Sequence, residues 1–390
     1  MARLLTRRAV LAGVGVASLA GCLGGGRTDR SDDSGDAGGS GDTGEQSAAE
    51  SGEGGATASG ESGGGGSGPP TRDDRLPLPM EPSALRSEAV SGGPPKDGIP
   101  AIESPKFVSA EAGSADLDPG DPVFGVATGG EPKAYPQSIL VAHEICNDVV
   151  DGTPVSVTYC PLTGTAMGVE RGETTFGVSG RLVNNNLIMY DRATETWWPQ
   201  VLSTAIPGPW NEDPDVWSLR EFRVVWTTWE RWRNRYPDTR VLSRDTGFAK
   251  NYDRDPYGSY NPRAGYYAPN SQPMFGSLSE DERLQPKRVV IGARAPDGAA
   301  AFEKDRLREA KLIEGELGGA PVLAVYEPTL DTGYVFRNPD ERRFEYRDGR
   351  VVDGAGDAHA PDALPLDRVI AFDAMWFAWS GFYPETTLYA

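Results

Sequence analysis

Three side chains near the middle of the sequence are of types that do chemistry together. His143, Cys146 and Cys160 lie within "AHEICNDVVDGTPVSVTYCPLTGTAM". An imidazole beside a thiol supplies base and nucleophile, so a catalytic pair of His143 and Cys160 would perform acyl-transfer or redox chemistry. The same three residues have ligand types that suit a metal, although a second histidine or a CxxC pair is missing. A disulfide between Cys146 and Cys160 would close a loop of about 15 residues and stabilise by roughly 3 kcal/mol. The fourth reading is a small buried cysteine beside a hydrogen-bonded core histidine. All four remain open from the sequence.

The elements around these residues decide how they meet. Hydrophobic spacing predicts a helix over residues 136–149, which puts Ile139, His143, Cys146 and Val150 on one stripe. Asp151-Gly152 turns the chain into an alternating strand, "PVSVTY", with Val155, Val157 and Tyr159 on one face and Ser156, Thr158 and Cys160 on the other. Cys160 then stands at the strand's C-terminal end, where loops carry sites.

An offset of 167 residues aligns "ILVAHEICNDVVDGTPVSVTYCP" with "RLREAKLIEGELGGAPVLAVYEP", and "VFGVATGGEPKAYP" with "VIGARAPDGAAAFE". A third pair, "VVWTTWERWRNRYPDTRVL" and "AFDAMWFAWSGFYPETTLY", superimposes Trp229 on Trp376 and Trp232 on Trp379. Three blocks in one order predict an α+β, β-rich fold of two tandem repeats, each with short strands and two helices. The closing helices would bury Val225, Trp229, Trp232 and Tyr236 in the first half, and Phe372, Trp376, Trp379 and Tyr383 in the second. Across the repeats His143 faces Ala310, Cys146 faces Ile313, Asn147 faces Glu314 and Cys160 faces Glu327, so the chemical groups belong to the first half alone.

Further polar residues of that half suggest a small-molecule pocket. Glu144, Asn147, Ser179, Asn185, Asp191, Arg192, Trp198 and Gln200, with Arg244, Asp245 and Tyr252 beyond them, combine amides, charges and aromatic faces. Each also has an ordinary role in a turn, an ion pair or a core.

Residues 1–22, "MARLLTRRAVLAGVGVASLAGC", read as a twin-arginine export signal ending in a lipid-attachment site at Cys22. Residues 23–75 are rich in Gly, Ser and acidic side chains and read as a disordered tether. The first repeat is expected over 99–250, a connecting segment over 251–285 and the second, degenerate repeat over 286–390. Net charge is -19, with 57 acidic against 38 basic residues, of which seven are lysine. That balance excludes a nucleic-acid partner and resembles the surfaces of proteins adapted to high salt, as in halophilic archaea.

The blocks "AHEICND", "VTYCPLTGTAMGVERG", "TFGVSGRLVNNNLIMYDRATETWWPQ", "VLSRDTGF" and "WFAWSGFYPET" resemble the family called domain of unknown function 3179, many of whose members are exported. The resemblance runs from about Ile99 to the end. It implies an architecture and a motif list, and no activity. The sequence therefore predicts an exported protein, held to the outer face of the membrane by lipid on Cys22, whose first repeat binds a polar small molecule. The alternatives are an enzyme using Cys160 and His143, and a purely structural surface protein. No cofactor is expected, with a metal at His143, Cys146 and Cys160 as the alternative.

Overall fold

Residues 67–390 are described in the computed structural model of the chain. The signal with Cys22, and the tether up to residue 66, lie outside them. Residues 67–75, assigned above to the tether, run along the folded body. The Arg72 amide donates to the Ser218 carbonyl at 2.8 Å, and Thr71 bridges Leu219. Backbone hydrogen bonding holds this stretch without large apolar side chains.

Short runs of β-branched and aromatic residues, cut by Gly and Asp turns, make the fold β-rich, and the six helices of the described residues are at most seven residues long. The architecture is α+β. A five-stranded sheet has the order Val225–Thr228, Pro122–Val126, Lys133–Pro136, Arg240–Leu242, Phe107–Ser109. A four-stranded sheet has the order Glu221–Phe222, Thr165–Glu170, Thr153–Cys160, Ile145–Val150. Phe124 and Tyr135 of the first sheet pack on Val155, Val157 and Tyr159 of the second to form a closed apolar layer. The second sheet's other face, with Ile145 and Cys160, packs on the hairpin Phe176–Val183 and Asn186–Asp191.

Further along, one sheet has the order Ala371–Met375, Val289–Ala295, Gly298–Glu303, Thr387–Tyr389, and another has Leu312–Leu317, Ala320–Glu327, Thr332–Arg337, Arg368–Val369. Ile188, Tyr190 and Trp197 of the first half pack on Val290, Phe372 and Trp379 of the second. A buried ion pair reinforces the contact: Arg294 and Glu221 meet at 2.7 Å with side chains 0% and 1% exposed.

Three expected helices are shorter than their spacing suggests. The helix placed over 136–149 spans only Gln137–His143. Glu144 follows at φ 59, and Ile145–Val150 is a strand, because a β-branched, alternating segment gains more from the sheet ladder than from another helical turn. His143 and Cys146 therefore share no helical stripe. The closing helices likewise span Trp229–Arg235 and Trp376–Phe382, with Val225 and Phe372 on the preceding strands. Their tryptophans pack rather than await a ligand. Trp232 covers Gly125 and Trp379 covers Gly292, where an added Cβ would lie 2.1 and 2.2 Å from the indole carbons.

Candidate functional site

His143 and Cys160 do not form a nucleophile–base pair. The imidazole is buried, with Nδ1 2.7 Å from the Pro100 carbonyl oxygen and Nε2 2.7 Å from the Tyr252 hydroxyl. A carbonyl only accepts, so Nδ1 carries the proton and Nε2 accepts from Tyr252, whose oxygen is also 2.6 Å from Thr246 Oγ1. Burial lowers the His143 pKa, which keeps this ring neutral. The Cys160 sulfur instead donates toward the Asn185 carbonyl at 3.6 Å and accepts from the Leu187 amide at 3.4 Å.

The two cysteines are free, which removes the disulfide. Cys146 pairs with Val157 in the ladder and points into the layer with Tyr135 and Tyr159. Cys160 points to the opposite face, beside Ile145 and Leu187. The same opposition removes a shared metal: among the described residues no group of three or more His, Cys, Asp or Glu is placed to hold one. Burial first and the nearby Glu144 charge second raise the Cys160 thiol, against hydrogen bonds from Thr163 and Leu187, to about 11. Cys146 is pushed well above the usual thiol range by burial and by Asp148. Neither is an activated nucleophile.

Glu144 is the unusual acid of this region. It is 7% exposed, its backbone carbonyl accepts from the Tyr159 amide at 2.7 Å, and no donor among the described residues binds its carboxyl. Burial alone pushes it up to about 8, so it is largely protonated at neutral pH. It lies near Cys160 and Tyr257, whose acidities its charge also weakens.

Most of the other polar residues are consumed by the fold. The Asn147 side chain donates to the Phe176 carbonyl at 2.9 Å and accepts from Ser156 and the Phe176 amide, tying one sheet to the next hairpin. Ser179 satisfies the bulge between Val178 and Arg181 through the Ile188 carbonyl and the Arg181 amide. Asn185, at φ 61, pins the hairpin tip to the Phe275 and Gly276 backbone. Asp191 accepts from Thr194 and from Trp198 Nε1 at 3.0 Å. Arg192 pairs with Asp97 and Glu103 rather than with Asp191. Gln200 is buried among Thr158, Thr165 and Asn186, with all its amide capacity used. Arg244 pairs with Asp116 and Asp253, and Asp245 pairs with Lys106. These residues do not converge on one pocket, although Arg244 and Tyr252 line an acidic surface cleft of about 690 Å³.

A different cleft, of about 570 Å³, lies between the two halves. Its walls come from Pro119–Pro122, Trp226–Arg231, the segment around Tyr260–Arg263, and the second-half residues Arg288, Lys304 and Arg308. Lys304 is held by Asp373 at 2.5 Å, Arg288 by Glu303 and Asp305, and Arg308 by Asp305 and Asp331. Arg231 and Arg263 meet only backbone carbonyls, of Pro328 and Thr329 and of Lys287. The Thr227 hydroxyl is buried on this wall with no hydrogen-bond partner. None of the residues singled out from sequence lines it. The cleft is assembled from segments more than a hundred residues apart, which no local sequence pattern links.

The chain is similar over residues 96–386 to the family described as a protein of unknown function, DUF3179. No curated protein and no solved structure matches it. Among the described residues no helix is long and apolar enough to cross a membrane. The matched span takes in both sets of sheets up to the last strand, Thr387–Tyr389, the buried His143, Glu144 and Cys160, and every residue of the cleft. The chain belongs to the DUF3179 family.

Proposed function

We propose that the protein is an exported, lipid-anchored binder of a polar small molecule, and that the ligand sits in the cleft between its halves. The carrying observation is that cleft: about 570 Å³, walled by charged and aromatic side chains. Ligand sites are generally concave spaces of this size with a few convergent polar groups.

Tandem duplication explains why a cleft exists there. Elements from Pro122–Val126 to Thr165–Glu170 recur at an offset of 167 residues as Val289–Ala295 to Thr332–Arg337, and the strand orders of the paired sheets correspond except for the added edge strand Phe107–Ser109 in the first half. Glu144 at φ 59 recurs as Lys311 at φ 66, each ending a seven-residue helix. Trp232 donates to Thr239 at 2.9 Å, as Trp379 does to Thr386 at 3.0 Å. Two copies packed side by side leave a seam, and seams between such units are common ligand sites. An anchor at Cys22 and a Gly- and Ser-rich tether would hold this seam away from the membrane.

The nucleophilic-enzyme reading has less support, since Cys160 is buried, protonated and remote from any base on His143. The binding reading is tested by native mass spectrometry of the full chain with polar metabolites of mixed charge. A saturable one-to-one adduct that is lost in Glu230→Trp, which plugs the cleft from an exposed position on its wall at unchanged melting temperature, and kept in Asp245→Asn is the expected result. An adduct that survives the plug would overturn it.

A further inference from the structure

We infer that the ligand of this cleft is an organic oxyanion, a carboxylate or phosphate monoester attached to a flat apolar group. The inference rests on the binding reading above. The cleft lining carries five cations, Arg231, Arg263, Arg288, Lys304 and Arg308, against four carboxylates, Glu230, Asp305, Asp331 and Asp373. Asp305, Asp331 and Asp373 each already hold a lysine or arginine. Arg231 and Arg263 hold no carboxylate among the described residues, and each binds backbone carbonyls through Nη1 alone. A guanidinium has five N–H groups in a planar fork, so each arginine retains unused donors of the kind that bind an oxyanion.

Charge points the same way. In a chain of net charge -19, Arg231 and Arg263 without carboxylate partners, set against the one unpaired acid Glu230, leave this cleft with one net positive charge, which favours an anion. A neutral polyol would leave the guanidinium charges unanswered, and a cationic ligand would face them directly. The apolar part of the wall is also defined. Trp226 and Tyr260 meet edge to face with ring centroids 4.9 Å apart, and Met375 lies beside them, which suits a flat group next to the oxyanion.

The experiment is isothermal titration of the full chain with benzoate, phenyl phosphate and neutral benzamide, which share a ring and differ in charge. At least one anion binds, and benzamide binds at least about 10-fold more weakly, the usual scale for a charge-assisted pair. Arg263→Gln weakens the anion by at least about 10-fold and leaves benzamide unchanged. Arg233→Gln, whose side chain bonds Ser114 outside the cleft, has no effect. Melting temperatures distinguish lost binding from lost folding. If Arg263→Gln does not fold, Arg263→Lys keeps the charge without the fork and shows a smaller loss. Benzamide binding as tightly as both anions, or anion binding that survives Arg231→Gln and Arg263→Gln together, overturns the oxyanion while the cleft reading stands. Failure of all three probes, and of glucose and choline as neutral and cationic controls, overturns both.

Discussion

Replacing Glu144 by Gln should stabilise the protein, and by more as the pH rises. The carboxyl is buried with nothing bound to it, and its pKa moves from 4.5 to about 8 on folding. A folded-state pKa above the unfolded value means that the native protein binds the extra proton between those limits. Stability contributed by the protonated form is therefore complete below about pH 4.5 and is lost as pH rises through about 8. The full loss is about 5 kcal/mol, at 1.36 kcal/mol per unit, and about 4 kcal/mol of it falls between about pH 5 and about pH 9. Gln keeps the shape and the strained φ of 59, so both cancel in the comparison. Urea unfolding of wild type and Glu144→Gln at constant ionic strength isolates this one group, because the other titrations are common to both proteins. The variant should be nearly equal to wild type at about pH 5 and more stable by about 4 kcal/mol at about pH 9. A difference that stays within about 1 kcal/mol across that range would refute the buried, unpartnered acid.

Other predictions address the remaining parts of the molecule. Glu221→Gln leaves Arg294 buried without its counter-charge between the halves and should cost about 3–5 kcal/mol in urea unfolding, whereas loss under about 1 kcal/mol would mean that the pair does not hold the interface. Titration of the full chain with a thiol reagent and no reductant should give slow native reaction and rapid reaction of Cys146 and Cys160 in denaturant. A need for reductant would restore the disulfide. Gly125→Ala drives a methyl into the Trp232 ring and should destabilise by about 1–3 kcal/mol, read as a lower melting temperature. Cys22→Ser should release the protein from membranes in fractionated cells, and unchanged retention would refute lipid attachment there.

Strand positions after Asp151-Gly152 were legible because a period of two with β-branched residues is a local property, and "PVSVTY" lies within the strand Thr153–Cys160. The same local reading failed at residues 144–149. Apolar spacing there fits a helix, and the choice of strand is made by pairing of Ile145–Val150 with Thr153–Cys160, a partner that periodicity does not see. His143 and Cys160 were legible as chemical types and misleading as a pair. Their separation depends on Pro100 and Tyr252, each more than forty residues from His143.

The sequence by itself determined the β-rich α+β class, the family, the matched blocks of the two halves and the acidic balance, because composition and short-range periodicity carry them. Tertiary structure alone decided that most polar residues of the first half are spent on turns, bulges and ion pairs. It also decided that Glu144 is left buried without a partner, and that the open space lies along the seam beside Thr227, Arg231 and Arg263. Burial and hydrogen-bond satisfaction are sums over contacts from distant segments, and residue type and spacing do not contain those sums.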